Sequence, residues 1–203
     1  MSIVIKVKQV QRLFDRLEIE TENVKHATGM HCLTGCGNCC MKPDIEASVL
    51  EFLPFAFDLF LKRQTELFKI RLEDSGSICL LFNPLSVASN TDYQQGKCGE
   101  YANRGLICRL FGYATIRDKN GQNVLSTCKW IKTTQLEEVA IAQSLIVKKQ
   151  VPGFLNYYQR LVQIDFKLSQ ELLPINEAIG RAIAEVEHYY LYRPFPYGQR
   201  KIA

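Results

Sequence analysis

Eight cysteines lie between residues 32 and 128 of this 203-residue sequence, and none in the last 75 residues. Four of them, Cys32, Cys36, Cys39 and Cys40, crowd into "TGMHCLTGCGNCCMKPD". Cys36-Gly-Asn-Cys39 is a CxxC pair: two intervening residues let both sulfurs turn toward one metal, and Gly37 permits the tight backbone. Soft thiolates select zinc, copper(I) or iron–sulfur clusters over magnesium and calcium. Cys39 and Cys40 are adjacent, so in a helix their side chains would diverge by about 100°. Either one of them ligates while the other packs or reacts, or the pair bridges or divides between two metal positions. The other four are Cys79, Cys98, Cys108 and Cys128. Nine residues separate Cys98 from Cys108, and Cys79 and Cys128 flank them at 18 and 19 residues. A metal can close loops of this length much as a disulfide does in a secreted protein. A lone cysteine is commonly a small buried hydrophobe. Eight confined to one stretch of the chain fit ligation better.

Few other residues carry a chemical pattern. His31 adjoins Cys32, but with cysteines in surplus it is expected at the surface or behind the ligands. Arg104 and Arg109 flank Cys108 and have two readings: charge-assisted hydrogen bonds to thiolates or sulfides, or ordinary surface cations. Cys32-Leu-Thr-Gly-Cys36-Gly-Asn-Cys39 has the CxxxCxxC spacing of radical S-adenosylmethionine enzymes. Asn38 occupies the place of the usual aromatic there, and no strand–helix alternation follows, so the spacing alone is a weak signature. No Ser/His/Asp set, paired-carboxylate motif or phosphate-cradling glycine loop is present.

The elements that must position these thiols are mostly helical. Ile3, Val7, Val10, Phe14 and Leu17 form one apolar stripe that predicts a helix from Ile3 to about Ala27, with Gly29 as its stop. Two helical pieces are expected after the cluster, the first capped by Asp44 and the second begun at Pro54. The aromatics Phe52, Phe55, Phe57 and Phe60 read as core. From Ser75 to about Cys128 the chain is irregular, with Asn120-Gly121 marking a hairpin. Helices are expected over Leu136–Val147, Phe154–Leu172 and Ile175–Tyr192, punctuated by Pro152-Gly153 and Pro174. At 47% hydrophobic and 23% charged residues the chain can bury a core without cross-links. Its net charge of +4 is too small and dispersed to argue for nucleic acid, and one four-thiolate centre would lower it by about two. The tail "HYYLYRPFPYGQRKIA" reads as a helix end packing its tyrosines, followed by a proline-rich arm. The N-terminus lacks a signal-peptide pattern, and no run of 18 apolar residues predicts a membrane span. The expected compartment is therefore the cytoplasm, where thiols stay reduced.

Together these residues resemble the YkgJ-type cysteine-cluster family, with its CxxCxxCC signature. In "CLTGCGNCC", Cys36, Cys39 and Cys40 form the CxxCC half, and Cys32 stands one residue further out than the signature. "ICLLF" carries Cys79. "GKCGEYANRGLICRLFGY" is similar to the family's G-x-C-x-x-Y…R-P-x-x-C-R-x-F block, with Cys98, Tyr101, Arg104, Cys108, Arg109 and Phe111 on the pattern. "STCKWIK" carries Cys128. Gly105 stands where the family has proline, an exchange expected to loosen the turn before Cys108. The resemblance spans about residues 28 to 132 and implies zinc or iron chelation. Related clusters occur in flagellin lysine N-methylases, which look like iron–sulfur proteins using S-adenosylmethionine, but no methyl-donor site is evident outside the cysteines.

The expected protein is thus mainly α: one domain over residues 1–203, with a cysteine-cluster core over 28–132, a long irregular cysteine-bearing loop, a small β-hairpin and C-terminal helices over 134–193. All eight cysteines are candidate ligands of an iron–sulfur centre, [4Fe-4S] by preference, because eight thiols exceed what one closed zinc site uses. The alternative is a structural zinc module that presents helices to a protein partner. A redox or protein partner of unknown identity is expected, and nucleic acid is not.

Overall fold

The computed structural model describes residues 1–33, 35–84 and 96–196. Helices α1 to α9 and three two-stranded antiparallel pairs make the described part mainly α. The longest helix, α1 (Ile3–Thr28), follows the apolar stripe that predicts it: Ile3, Val7, Val10, Phe14, Leu17 and Val24 are buried. Ser2 caps its start by accepting from the Ile5 amide. Gly29, at φ 76°, ends it in the left-handed conformation that only glycine adopts freely, donating to Lys25 O at 2.8 Å.

The expected helix after Asp44 does not form. Glu46–Ser48 is a strand, β1, and Val49–Phe52 is a 3₁₀ turn. Its cap is Ser48, not Asp44: the Ser48 amide and hydroxyl both donate to the Glu51 carboxylate. The strand exists because its partner, β6 (Leu172–Pro174), arrives from far along the chain and pairs Ala47 with Leu173. The same pairing explains why the helix expected over Phe154–Leu172 is broken. It becomes α7 (Phe154–Ile164) and α8 (Phe166–Ser169), separated by Asp165, whose side chain caps α8 through the Leu168 amide. Pro54 does open α2 (Leu53–Leu61), but the helix stops at Arg63, which has φ 56°, and restarts as α3 (Thr65–Glu73).

The irregular middle holds β2 (Phe82–Pro84) paired with β3 (Gly96–Cys98), then the short α4 (Leu106–Leu110). The expected hairpin is β4 (Ala114–Arg117) with β5 (Asn123–Ser126), turning at Gly121 with φ 77°. Next come α5 (Lys129–Thr134), α6 (Leu136–Val147) and, after β6, α9 (Ile175–Tyr190).

One apolar cluster joins α1, α2 and α9, and includes Phe52, Phe55 and Phe57 as expected. Each fully buried Leu or Phe of this kind contributes about 1.5–3 kcal/mol. A second, smaller cluster gathers Val24, Met30, Tyr113, Leu125, Ile131 and Ala142. Tyr190 stacks on Phe60 at 4.9 Å, so a tyrosine at the end of α9 does pack inward. Residues 197–203 of the tail lie outside the described residues. Among the described residues no helix is long and apolar enough to cross a membrane.

Candidate metal centre

Gln135, buried at the start of α6, holds the entrance to the first cysteine loop. Its carbonyl accepts from the His31 amide at 3.0 Å, and its amide donates to His31 O at 2.8 Å. Met30 drops into the second apolar cluster beside this clamp. The exposed His31 ring lies edge-on to Trp130 with one nitrogen 3.2 Å from Gly29 O. The loop then docks on β3 through a hydrogen bond from Gly96 N to Gly35 O at 2.8 Å. Phe82 locks this junction, since a methyl on either Gly37 or Gly96 would overlap its ring. Gly37 therefore serves close packing as well as the tight CxxC backbone.

Cys79 is positioned from the far end of the chain. Asn176 on α9 accepts from Leu80 N at 2.9 Å and donates to Gly76 O and Ile78 O. Cys98 sits on β3, opposite Phe82. Between Cys98 and Cys108 runs a segment held by two arginines. Arg104 and Arg109 each reach Glu18 of α1 at 3.0 Å. Their other donors go to Tyr101 O, Ala102 O and Arg104 O, and their planes stack on Tyr101 and Phe14. These guanidiniums thus spend their hydrogen bonds on protein oxygens, and Arg104 acts on Cys98 through its charge, which opposes the effect of burial on that thiol.

Gly105, in the proline position of the family block, packs a close turn rather than a loose one. A Cβ there would come within 2.8 Å of the Phe52 ring and 3.1 Å of a Glu51 oxygen. The backbone is brought near enough for the Ile107 amide to donate to Glu51 at 3.0 Å. Cys108 follows on α4, anchored between fully buried Leu106 and Leu110. Cys128 begins α5, beside the second apolar cluster.

All eight cysteines are free thiols, and their mutual electrostatics show which lie together. Cys40 feels the charges of Cys39, Cys108 and Cys79. Cys108 feels Cys79, Cys39 and Cys98, while Cys32 feels Cys39, Cys128 and Cys36. Cys39, Cys40, Cys79 and Cys108 line one cavity, and Cys32, Cys36, Cys98 and Cys128 are not among its lining residues. Among the described residues no three Cys, His, Asp or Glu side chains stand in ligand geometry. The vicinal pair differs from its helical expectation. Residues 38–41 form a turn, and the two sulfurs lie 4.0 Å apart. Two sulfurs on one tetrahedral ion, with bonds of about 2.3 Å, stand about 3.8 Å apart, so this pair can face one centre.

Protonation follows burial and pairing. The hydrogen bond from Cys40 pulls the Cys39 thiol down to about 6, and the same bond, with burial, pushes Cys40 far up. Burial raises Cys79 to about 11 and Cys108 beyond the ordinary thiol range. Burial also raises Cys32, against a hydrogen bond from Tyr113. Ligation requires thiolates, so a bound cation must displace these protons. The soft, oxygen-poor donor set suits zinc or iron and excludes a magnesium or calcium site.

Comparison with known families agrees with this chemistry. Residues 31–129 match the family described as "CxxCxxCC: Putative zinc- or iron-chelating domain". Over these residues the chain is similar to this cysteine-cluster family. The matched stretch contains all eight cysteines together with Arg104 and Arg109. No curated protein and no solved structure matches the chain.

Sequence reasoning missed Gln135, Asn176, Glu18 and Glu51 as residues that place the thiols. Glu51 alone left a local signal, being the one acid inside the apolar run "VLEFLPFAF". Buried there, its carboxyl is pushed up, although Ser48, Ile107 and Tyr158 all donate to it.

Proposed function

We propose that this protein is a cysteine-ligated metalloprotein carrying an iron–sulfur cluster, [4Fe-4S] by preference, in a redox or metallo-enzymatic role. The observation that carries the reading is that Cys39, Cys40, Cys79 and Cys108, drawn from three separate segments, line one cavity. Eight free thiols exceed the four of a closed zinc site and match a cluster with a choice of ligands. Arg104 and Arg109 hold the segment between Cys98 and Cys108, and Arg104 adds positive charge near Cys98. When bound, a cluster would supply one-electron chemistry or an open iron. The chain's own part is to supply thiolates, fix their spacing and limit water.

The domain organisation follows from the same picture. Residues 28–132 form the metal-binding core of a single domain, with α1 and the helices of 134–193 as its supports. The protein works in the cytoplasm, with a redox or protein partner and without nucleic acid.

A structural zinc module is the second reading, favoured by the division of the thiols. Cys32, Cys36 and Cys128 do not line that cavity, and Cys128 packs on the second apolar cluster, so two four-sulfur zinc sites also account for eight cysteines. Iron, zinc and acid-labile sulfide measured per chain after anaerobic purification separate the two. Near-stoichiometric iron with sulfide supports the cluster. Zinc without sulfide supports the scaffold.

A further inference from the structure

Beside the thiols lies a cavity of about 390 Å³. Cys39, Cys40, Cys79 and Cys108 are part of its lining. The rest of the lining comes largely from α4 and its end, α7, β6 and α9, and includes Ile107, Phe111, Phe154, Tyr158, Leu172 and Ile175. A metal centre needs the sulfurs, but it gains no ligand from this wall. The Tyr158 hydroxyl is engaged by Glu51, which leaves the tyrosine ring as its contribution to the lining. Small-molecule sites span about 300–1,000 Å³ and pair an apolar lining with a few polar groups, so both the size and the character of this cavity fit.

Charge narrows the occupant. The rim carries Lys42 against Asp44 and Glu46, all exposed and, among the described residues, in no ion pair. Two carboxylates against one ammonium leave the rim net negative, so it repels an anionic ligand and offers partners to an ammonium.

We propose that this cavity binds a small organic molecule with an apolar body and a neutral or cationic polar end, its body seated against the thiol-held centre. The proposal rests on the metal-centre reading for what the inner end of the ligand meets, whereas occupancy of the cavity stands apart from it. Hydrophobic contact with the wall supplies affinity, and the rim selects against anions.

The test titrates n-hexylamine, 1-hexanol and hexanoate into the metal-loaded full chain and into the metal-stripped full chain, followed by saturation-transfer NMR. Leu172→Trp fills the mouth from a half-exposed position and leaves every thiol in place. Saturable binding of the amine and the alcohol is expected, with hexanoate weaker by about tenfold or more. Leu172→Trp should weaken amine binding by about tenfold or more at unchanged metal and sulfide content. Where the centre holds iron, binding of the amine should also shift its visible circular dichroism. If Leu172→Trp does not fold, Ile45→Trp on the same lining serves instead. Absence of saturable binding, hexanoate binding as well as hexylamine, or insensitivity to both variants would overturn the proposal. So would binding that leaves the visible spectrum of an iron-loaded centre unchanged. A chain that holds no metal yet binds the amine in a Leu172-dependent way would refute the metal reading alone and leave the ligand site standing.

Discussion

Glu18 is the residue whose removal tests most sharply how the cysteine loop is held. Its carboxylate joins α1 to both Arg104 and Arg109, whose side chains are only 10% and 8% exposed. Stripping the partner from a buried ion pair costs about 3–5 kcal/mol, while exposed pairs contribute about 0–1 kcal/mol. Glu18 is itself 38% exposed, and both guanidiniums keep carbonyl and ring partners after its loss. Weighing these, Glu18→Ala should cost about 1.5–3 kcal/mol. For a chain of this size that corresponds to a Tm lower by about 4–10 °C. Glu18→Gln, which keeps an acceptor, should fall between the two. The assay is thermal and urea denaturation of metal-loaded protein, with metal retention against a chelator read in parallel. Faster metal loss should accompany the drop, because the tethered segment carries Cys98 and Cys108. A Tm within about 1 °C of the wild type would refute the tether, since that corresponds to less than about 0.5 kcal/mol.

Cys36→Ser and Cys108→Ser should each lower metal content and destabilise the fold, since structural sites contribute on the order of 10 kcal/mol; full metal content in both would remove these residues from the ligand set. Gly96→Ala forces a methyl into the Phe82 ring and should cost about 1–3 kcal/mol, with denaturation midpoints as the readout and Phe82→Leu in the same chain as the expected rescue. Asp165 gives a pH signature. Burial raises its carboxyl, but Lys6 at 2.6 Å and the Leu168 amide outweigh burial and hold it below the ordinary value of 3.8. Its contribution is therefore present above that value and lost as pH falls through the depressed one. Asp165→Asn should be less stable at neutral pH and lose less on acidification, as urea midpoints across acid pH would report.

Where the sequence carried its own local pattern, the fold was legible. The strict stripe of α1 and Gly29, the bounds Leu136–Val147 and the Asn120-Gly121 turn are all local signals, and each is found. The failures share a cause. Glu46–Ser48 reads as helical by its neighbours, yet becomes a strand because Leu172–Pro174 pairs with it across the fold. That same pairing breaks the helix expected to run on to Leu172. No window of local sequence contains such a contact. The site divides likewise: the thiols are evident from residue type, and their anchors are not. Glu18 looks like any solvent-facing charge of an amphipathic helix until Arg104 and Arg109 arrive, and Asn176 like any residue in the first turn of α9. The vicinal pair needed its turn geometry to bring both sulfurs to one side.

The most direct measurement is X-ray absorption at the iron and zinc edges of protein purified without oxygen. A first shell of sulfur alone at about 2.3 Å, with metal–metal scattering at the iron edge, is expected of a thiolate-held cluster. A first shell of nitrogen and oxygen, or iron at background with zinc lacking any metal neighbour, would contradict it.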